Sequence, residues 1–138
     1  FLERADKAAI ILCRTSNPGT GVFQDLVSDG QKIYQIVAKK VVNEWNKNNN
    51  CFLVVGATYP EELAEVRKIA GDMIFLVPGI GAQGGDIEKT VLAGLNSKKA
   101  GMLINSSRGI IFASNGEGFA EKAKEETIKL RDEINKYR

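Results

Sequence analysis

The chain has no histidine. That excludes a serine–histidine–aspartate triad, a cysteine–histidine pair, an HExxH zinc site and a histidine proton shuttle within it. Proton transfer here would fall to carboxylates, lysines or tyrosines. Cysteine is almost as scarce. Cys13 and Cys51 stand far apart with no CxxC, so they build neither a zinc site nor a disulfide framework. Both sit in apolar runs (IILC and CFLVV) and read as buried, reduced thiols, which favours a cytoplasmic setting. No stretch approaches the roughly 20 apolar residues that span a bilayer. No signal peptide opens the chain: Phe1-Leu2-Glu3-Arg4 puts charge where an apolar stretch belongs. It also opens without methionine, and its first residues read as the end of a helix in a chain that starts mid-protein. A dominant charge sign is missing too. Lys plus Arg number 19 and Asp plus Glu 17, for a net +2. So weak an imbalance gives no reason to expect nucleic acid or an acidic membrane as the main partner.

What is present is enough for one folded domain. The 138 residues are 43% hydrophobic and 26% charged, which supports a core and argues against disorder. They are too few for a closed (β/α)₈ barrel, which takes roughly 250 residues. Short continuous apolar runs recur: Ala8 to Cys13, Cys51 to Val55, Met73 to Val77 and, more weakly, Gly101 to Ile104. Such runs predict parallel strands buried on both faces. Between them lie helical patterns. Lys32 to Asn46 carries Ile33, Ile36, Val37, Val41 and Trp45 on one stripe. Pro60-Glu61-Glu62 opens a helix that turns Leu63, Val66, Ile69 and Ala70 inward and stops at Gly71. Asp86 caps a third helix through Leu95, and a fourth runs from about Gly118 to Tyr137. The order β-α-β-α-β-α-β-α fits either a small open α/β sheet or half of a (β/α)₈ barrel.

In both architectures ligands sit at the carboxyl ends of the strands. The first such segment, Arg14 to Gly21, is rich in hydroxyls and turn residues, and alone reads as a turn capped by Ser16 and Asn17. The second, Gly56-Ala57-Thr58-Tyr59-Pro60, reads as a lead into the helix. The third, Val77-Pro78-Gly79-Ile80-Gly81-Ala82-Gln83-Gly84-Gly85-Asp86, places four glycines in seven residues just before a helix. It reads as a loop whose backbone N–H groups approach an anion, aided by the helix N-terminus. It lacks the Gly-Lys-Ser/Thr of a Walker loop and the position of a dinucleotide fingerprint. The fourth holds Arg108 among small residues. A guanidinium fork there matches phosphate oxygens, or equally pairs with a carboxylate at the surface.

Together LCRTSNPGTG, VVGATYPEEL, LVPGIGAQGGD and INSSRGIIFAS resemble the orotidine 5′-phosphate decarboxylase family, in its bacterial-type branch. The four segments keep the family's order and cover nearly the whole chain. PGIGAQGGD followed by the SRG arginine is the most specific part. The resemblance implies an α/β fold, a (β/α)₈ TIM barrel, with residues 1–138 as its C-terminal half, about strands five to eight with their helices. It implies a homodimer, no metal or organic cofactor, and conversion of orotidine 5′-phosphate to UMP in pyrimidine synthesis. Ser16 matches the serine that hydrogen-bonds the pyrimidine, and Pro78 the proline lining the base pocket. Gln83 matches the glutamine that bridges phosphate and base as the loop closes. Arg108 matches the phosphate-binding arginine, with the Ser107 backbone beside it.

The family's catalytic Asp-x-Lys-x-x-Asp motif does not occur in these residues. The resemblance therefore places no catalytic residue in this chain. It assigns the lysine that protonates C6, and the aspartates beside the substrate carboxylate, to an N-terminal half of the same barrel. Two other readings remain at this level: a related sugar-phosphate decarboxylase or aldolase, which would need a metal-binding acid, and a non-catalytic phosphate-binding half-barrel.

Overall fold

The computed structural model describes residues 1–81 and 85–138. In chain order the elements are β1 (Ala9–Arg14), α1 (Gly21–Gln24), β2 (Val27–Ser28), β3 (Gln31–Lys32), α2 (Ile33–Lys40) and β4 (Cys51–Val55). Then follow α3 (Pro60–Ala70), β5 (Phe75–Pro78), α4 (Ile87–Gly94), β6 (Met102–Asn105), α5 (Ser107–Ile111) and α6 (Phe119–Asn135). The four long strands form one parallel sheet in the order β1-β4-β5-β6, so each crossover returns to the adjacent position. The periodic helices stand where the hydrophobic stripes place them. The first ends in a π-helical turn, Val41–Trp45.

Burial alternates along the strands, which corrects the expectation of strands covered on both faces. Cys13, Cys51, Leu53, Val55, Phe75 and Val77 are buried against Tyr34 and Ala38 of α2, Val41 of the π-helical turn, and Leu63, Val66 and Ala70 of α3. Among the described residues, no helix covers the opposite face. Ile10 is 47% exposed, Leu12 61% and Leu103 51%. The register sets Leu12 beside Val54, Val54 beside Leu76 and Leu76 beside Leu103, so this bare face is a continuous apolar stripe across all four strands.

Two local readings also change. Residues 1–8 form successive turns, closed by Arg4 N–H to the Phe1 carbonyl and Lys7 N–H to the Arg4 carbonyl, rather than a helix end. Asn50, whose side-chain amide donates to the carbonyls of Leu2, Arg4 and Lys7, pins them. Between α1 and α2 a small hairpin pairs Val27 with Lys32. Its Asp29-Gly30 tip has φ of 51° and 74°, the positive pair that a two-residue hairpin turn requires. The Asp-Gly dipeptide was a legible signal for it.

Arg67 closes the amino end of the sheet. Its guanidinium donates to the carbonyls of Gly94 (2.8 Å), Gly71 (2.8 Å), Met73 (2.6 Å) and Gly101 (3.1 Å) and lies over the Phe75 ring. Gly71 and Gly94 are at helix C-termini, where unpaired carbonyls and the negative dipole end favour a cation. Burial pulls its pKa down to about 10, so it stays charged at neutral pH. Arg67→Ala should destabilise the fold by about 3 kcal/mol, because buried carbonyls lose their donor. A urea midpoint no lower than that of the unchanged protein would contradict this.

The thiols are buried as expected. Cys13 Sγ donates to the Tyr34 carbonyl at 3.2 Å, and burial pushes its pKa up to about 12. Because the folded value lies above the ordinary 9.0, the stability this gives is complete below pH 9 and is lost as pH rises toward 12. Burial raises Cys51 as well. Both thiols should resist a disulfide reagent at pH 8 and react fully in denaturant; rapid labelling of the folded protein is the contrary result. Among the described residues, no helix is long and apolar enough to cross a membrane.

Candidate functional site

All four long strands end at one rim of the sheet, and the segments singled out above lie along it. At β5 and β6 the rim holds a cleft of about 200 Å³ lined by Pro78, Gly79, Ile80, Asn105, Ser106, Ser107 and Arg108. Parallel pairing sets Pro78 directly beside Asn105, on the bare face with Leu76 and Leu103. The chain leaves β5 through Gly79 at φ 103° and Gly81 at φ 77°, values that favour glycine. Gly85 then returns against the rim, donating its N–H to the Gly79 carbonyl at 3.1 Å. A Cβ on Gly85 would lie 2.7 Å from that carbonyl oxygen and 2.9 Å from Ala57 Cβ, so close approach requires glycine there.

The glycine-loop anion site expected before the next helix lies partly outside the described residues. Asp86 caps α4 with its own side chain, accepting from Lys89 N–H at 3.0 Å, so a carboxylate already occupies that terminus. Among the described residues, the side-chain donors lining the cleft come from the β6 side. Ser106 precedes α5, and its hydroxyl reaches the Ile80 carbonyl at 3.5 Å. Ser107 Oγ donates to Asn105 Oδ1 at 2.9 Å. Arg108 is exposed at the cleft. Among the described residues no carboxylate lies within ion-pair distance of it, which disfavours the surface-pair reading. Pro78, Ser107 and Arg108 are thus brought into one cleft. Gln83 lies outside the described residues.

Ser16 is not in that cleft. It follows β1, two strand spacings from β5 or about 10 Å along the rim. The sequence-predicted residues therefore fall at two places along the rim rather than in one pocket. Neither Ser16 nor Asn17 caps the Ser16 loop through its side chain, contrary to expectation. Thr15 N–H donates to Gln24 Oε1 at 3.0 Å, Thr15 Oγ1 donates to Thr20 Oγ1 at 2.8 Å, and Thr20 Oγ1 donates to Gln24. Thr58, more than a lead into α3, donates to the Ser16 carbonyl at 3.3 Å. Sequence reasoning passed over two residues beside it: Gly56, whose missing Cβ would meet Ser16 Cβ at 2.8 Å, and Arg14, only 3% exposed. Burial opposes the Arg14 charge, but Glu62 and Asp25 outweigh it and hold its pKa above the ordinary value.

A parallel sheet with helices on one face, an apolar stripe on the other and a cleft at the carboxyl rim is the geometry of part of a (β/α) barrel. The matching family model is that of the orotidine 5′-phosphate decarboxylase / HUMPS family, over residues 1–123, and the chain belongs to this family. An orotidine 5′-phosphate decarboxylase of Bordetella avium is 57% identical over 140 residues, covering 100% of this chain and 52% of the relative. That of Janthinobacterium sp. is 53% identical over 137 residues, covering 99% and 51%. Among solved structures, UMP synthase of Leishmania donovani superimposes with a TM-score of 0.84 at 42% identity, covering 97% of this chain and 29% of that one. The orotidine monophosphate decarboxylase of the same organism gives 0.82 at 38%, covering 98% and 51%. The matched regions of these neighbours belong to (β/α)₈ barrels, and the sheet described here is a part of that fold. The chain spans about half the length of the curated relatives it matches.

Proposed function

We propose that residues 1–138 are the C-terminal half of a (β/α)₈ barrel that converts orotidine 5′-phosphate to UMP, and that this half binds the nucleotide. The observation that carries the reading is the cleft uniting Pro78, Ser107 and Arg108 in a chain of this family. Arg108 holds the phosphate as a charge-assisted fork, beside the Ser107 backbone at the start of α5. Pro78 presents an apolar ring to the base, and Ser16 hydrogen-bonds the pyrimidine further along the rim. Gln83 bridges phosphate and base, a role supported by the sequence resemblance.

Loss of CO₂ at C6 leaves a carbanion-like centre that needs an ammonium and a proton. That chemistry belongs to a lysine–aspartate motif on an earlier strand, in the N-terminal half. This half acts at a distance: energy from gripping the phosphate holds the ring in the geometry of the transition state. The apolar stripe then faces the barrel interior, and the active assembly is a cytoplasmic homodimer.

Calorimetry with UMP, uridine and ribose 5-phosphate tests the reading, using a completed barrel. That barrel is either the full-length polypeptide containing this chain, or the chain joined to the first half of the Janthinobacterium sp. relative. UMP should bind tightest, uridine weakest. Ribose 5-phosphate binding as tightly as UMP would point instead to a sugar-phosphate enzyme, and no binding of any of the three would refute the site.

A further inference from the structure

The alternation of β1 puts Ile10 and Leu12 on the bare face, and continued regularly it would put Arg14 there too. It does not. The register with β4 slips between Leu12, opposite Val54, and Arg14, opposite Val55. Two residues thus advance against one on β4, a bulge of the kind that re-aims a side chain. Cys13 and Arg14 both end up buried on the helical side. The ladder resumes at once, with Gly56 N–H donating to the Arg14 carbonyl at 2.8 Å.

What Arg14 meets there is a built site. Its guanidinium donates to Glu62 of α3 through two nitrogens, Nε to Oε2 and Nη2 to Oε1 at 3.0 Å. Nη2 also reaches Asp25 and Nη1 the Thr20 hydroxyl, each at 3.4 Å. The rings of Tyr34 and Tyr59 lie 5.2 Å from it. Lys32 Nζ stands 3.4 Å from Asp25, so two cations face two carboxylates. Asp25 closes the far end of the loop that begins at Thr15. One buried fork therefore ties both ends of that loop to α3. Ser16, two residues beyond Arg14, packs closely against Gly56, where an added Cβ would lie 2.8 Å from Ser16 Cβ and 2.9 Å from its backbone N and Cα.

We infer that Arg14 is a positioning residue: the bulge and the Arg14–Glu62 fork fix the direction in which Ser16 is presented at the rim. The inference deepens the proposed function and rests on its assignment of Ser16 to the pyrimidine. A structural arginine would stabilise the fold without regard to ligand. A positioning arginine affects only ligands that Ser16 touches.

The experiment is a double-mutant cycle on the completed barrel, read by calorimetry with UMP and with ribose 5-phosphate. Arg14→Lys keeps the charge but loses the planar fork. It should weaken UMP about tenfold, the worth of one misplaced hydrogen bond, and leave ribose 5-phosphate unchanged. In a Ser16→Ala background the same change should have no further effect on UMP. Gly56→Ala, which pushes Ser16 without touching the fork, should reproduce the selective loss and covers the case in which Arg14→Lys does not fold. Equal losses for both ligands, or equal effects with and without Ser16, would overturn the positioning role while leaving the proposed function standing. An unmodified barrel that fails to bind UMP would overturn both.

Discussion

The 138-residue chain by itself is expected to produce no UMP from orotidine 5′-phosphate. It has no Asp-x-Lys-x-x-Asp and no histidine to substitute. Its lysines are poorly placed to replace the missing one. Lys39 and Lys40 end α2, on the outer layer, and Lys98 and Lys99 lie in the turn after α4, at the amino end of β6. Lys32 is held near Asp25 and Glu62, and Lys89 near Asp86. The isolated chain should also associate. β1 and β6 are open parallel edges, and Ile10, Leu12 and Leu103 expose an apolar face that a complete barrel turns inward. Adding a fragment with the first four strands should restore both a defined size on gel filtration and turnover, followed by the absorbance change as the orotidine ring becomes uridine. Turnover by the purified chain alone, clearly above the buffer rate, would place the reacting lysine in this half and refute the division of labour.

Replacing Arg108 with alanine in the completed barrel should weaken UMP by about 2–4 kcal/mol, the range for removing a charge-assisted hydrogen bond from a partly desolvated site. No described carboxylate competes for its guanidinium, so the whole effect should appear in phosphate-bearing ligands. Uridine affinity should hardly change. Arg108→Lys should recover part of the loss, since it restores the charge without the fork. Equal losses for UMP and uridine would show that Arg108 shapes the site rather than holding the phosphate.

The strands and helices were legible because their signals are local. Apolar runs, the proline at the start of α3, the Gly71 stop and the Asp86 cap each act within a few residues, and the four long strands and four long helices stand within a residue or two of where those signals put them, α2 counted with its π-helical turn. The Ser107-Arg108-Gly109 segment was legible for a second reason: a strand's carboxyl end is where parallel α/β folds bind ligands. The Asp29-Gly30 hairpin was equally local, but its strands are two residues long and carry no hydrophobic period.

What composition and order determined without coordinates was the α/β alternation, the absence of histidine chemistry and the four loops to examine. Only the tertiary structure decided which face of the sheet is bare, because a strand's own apolar run does not say whether one side or both are covered. Only it brought Pro78 at the end of β5 and Ser107 and Arg108 after β6 into one cleft. The bulge at Cys13 and the fork from Arg14 to Glu62 were invisible for the same reason. The fork joins residues 48 positions apart, and a register slip is a property of two strands together, which neither sequence segment carries alone.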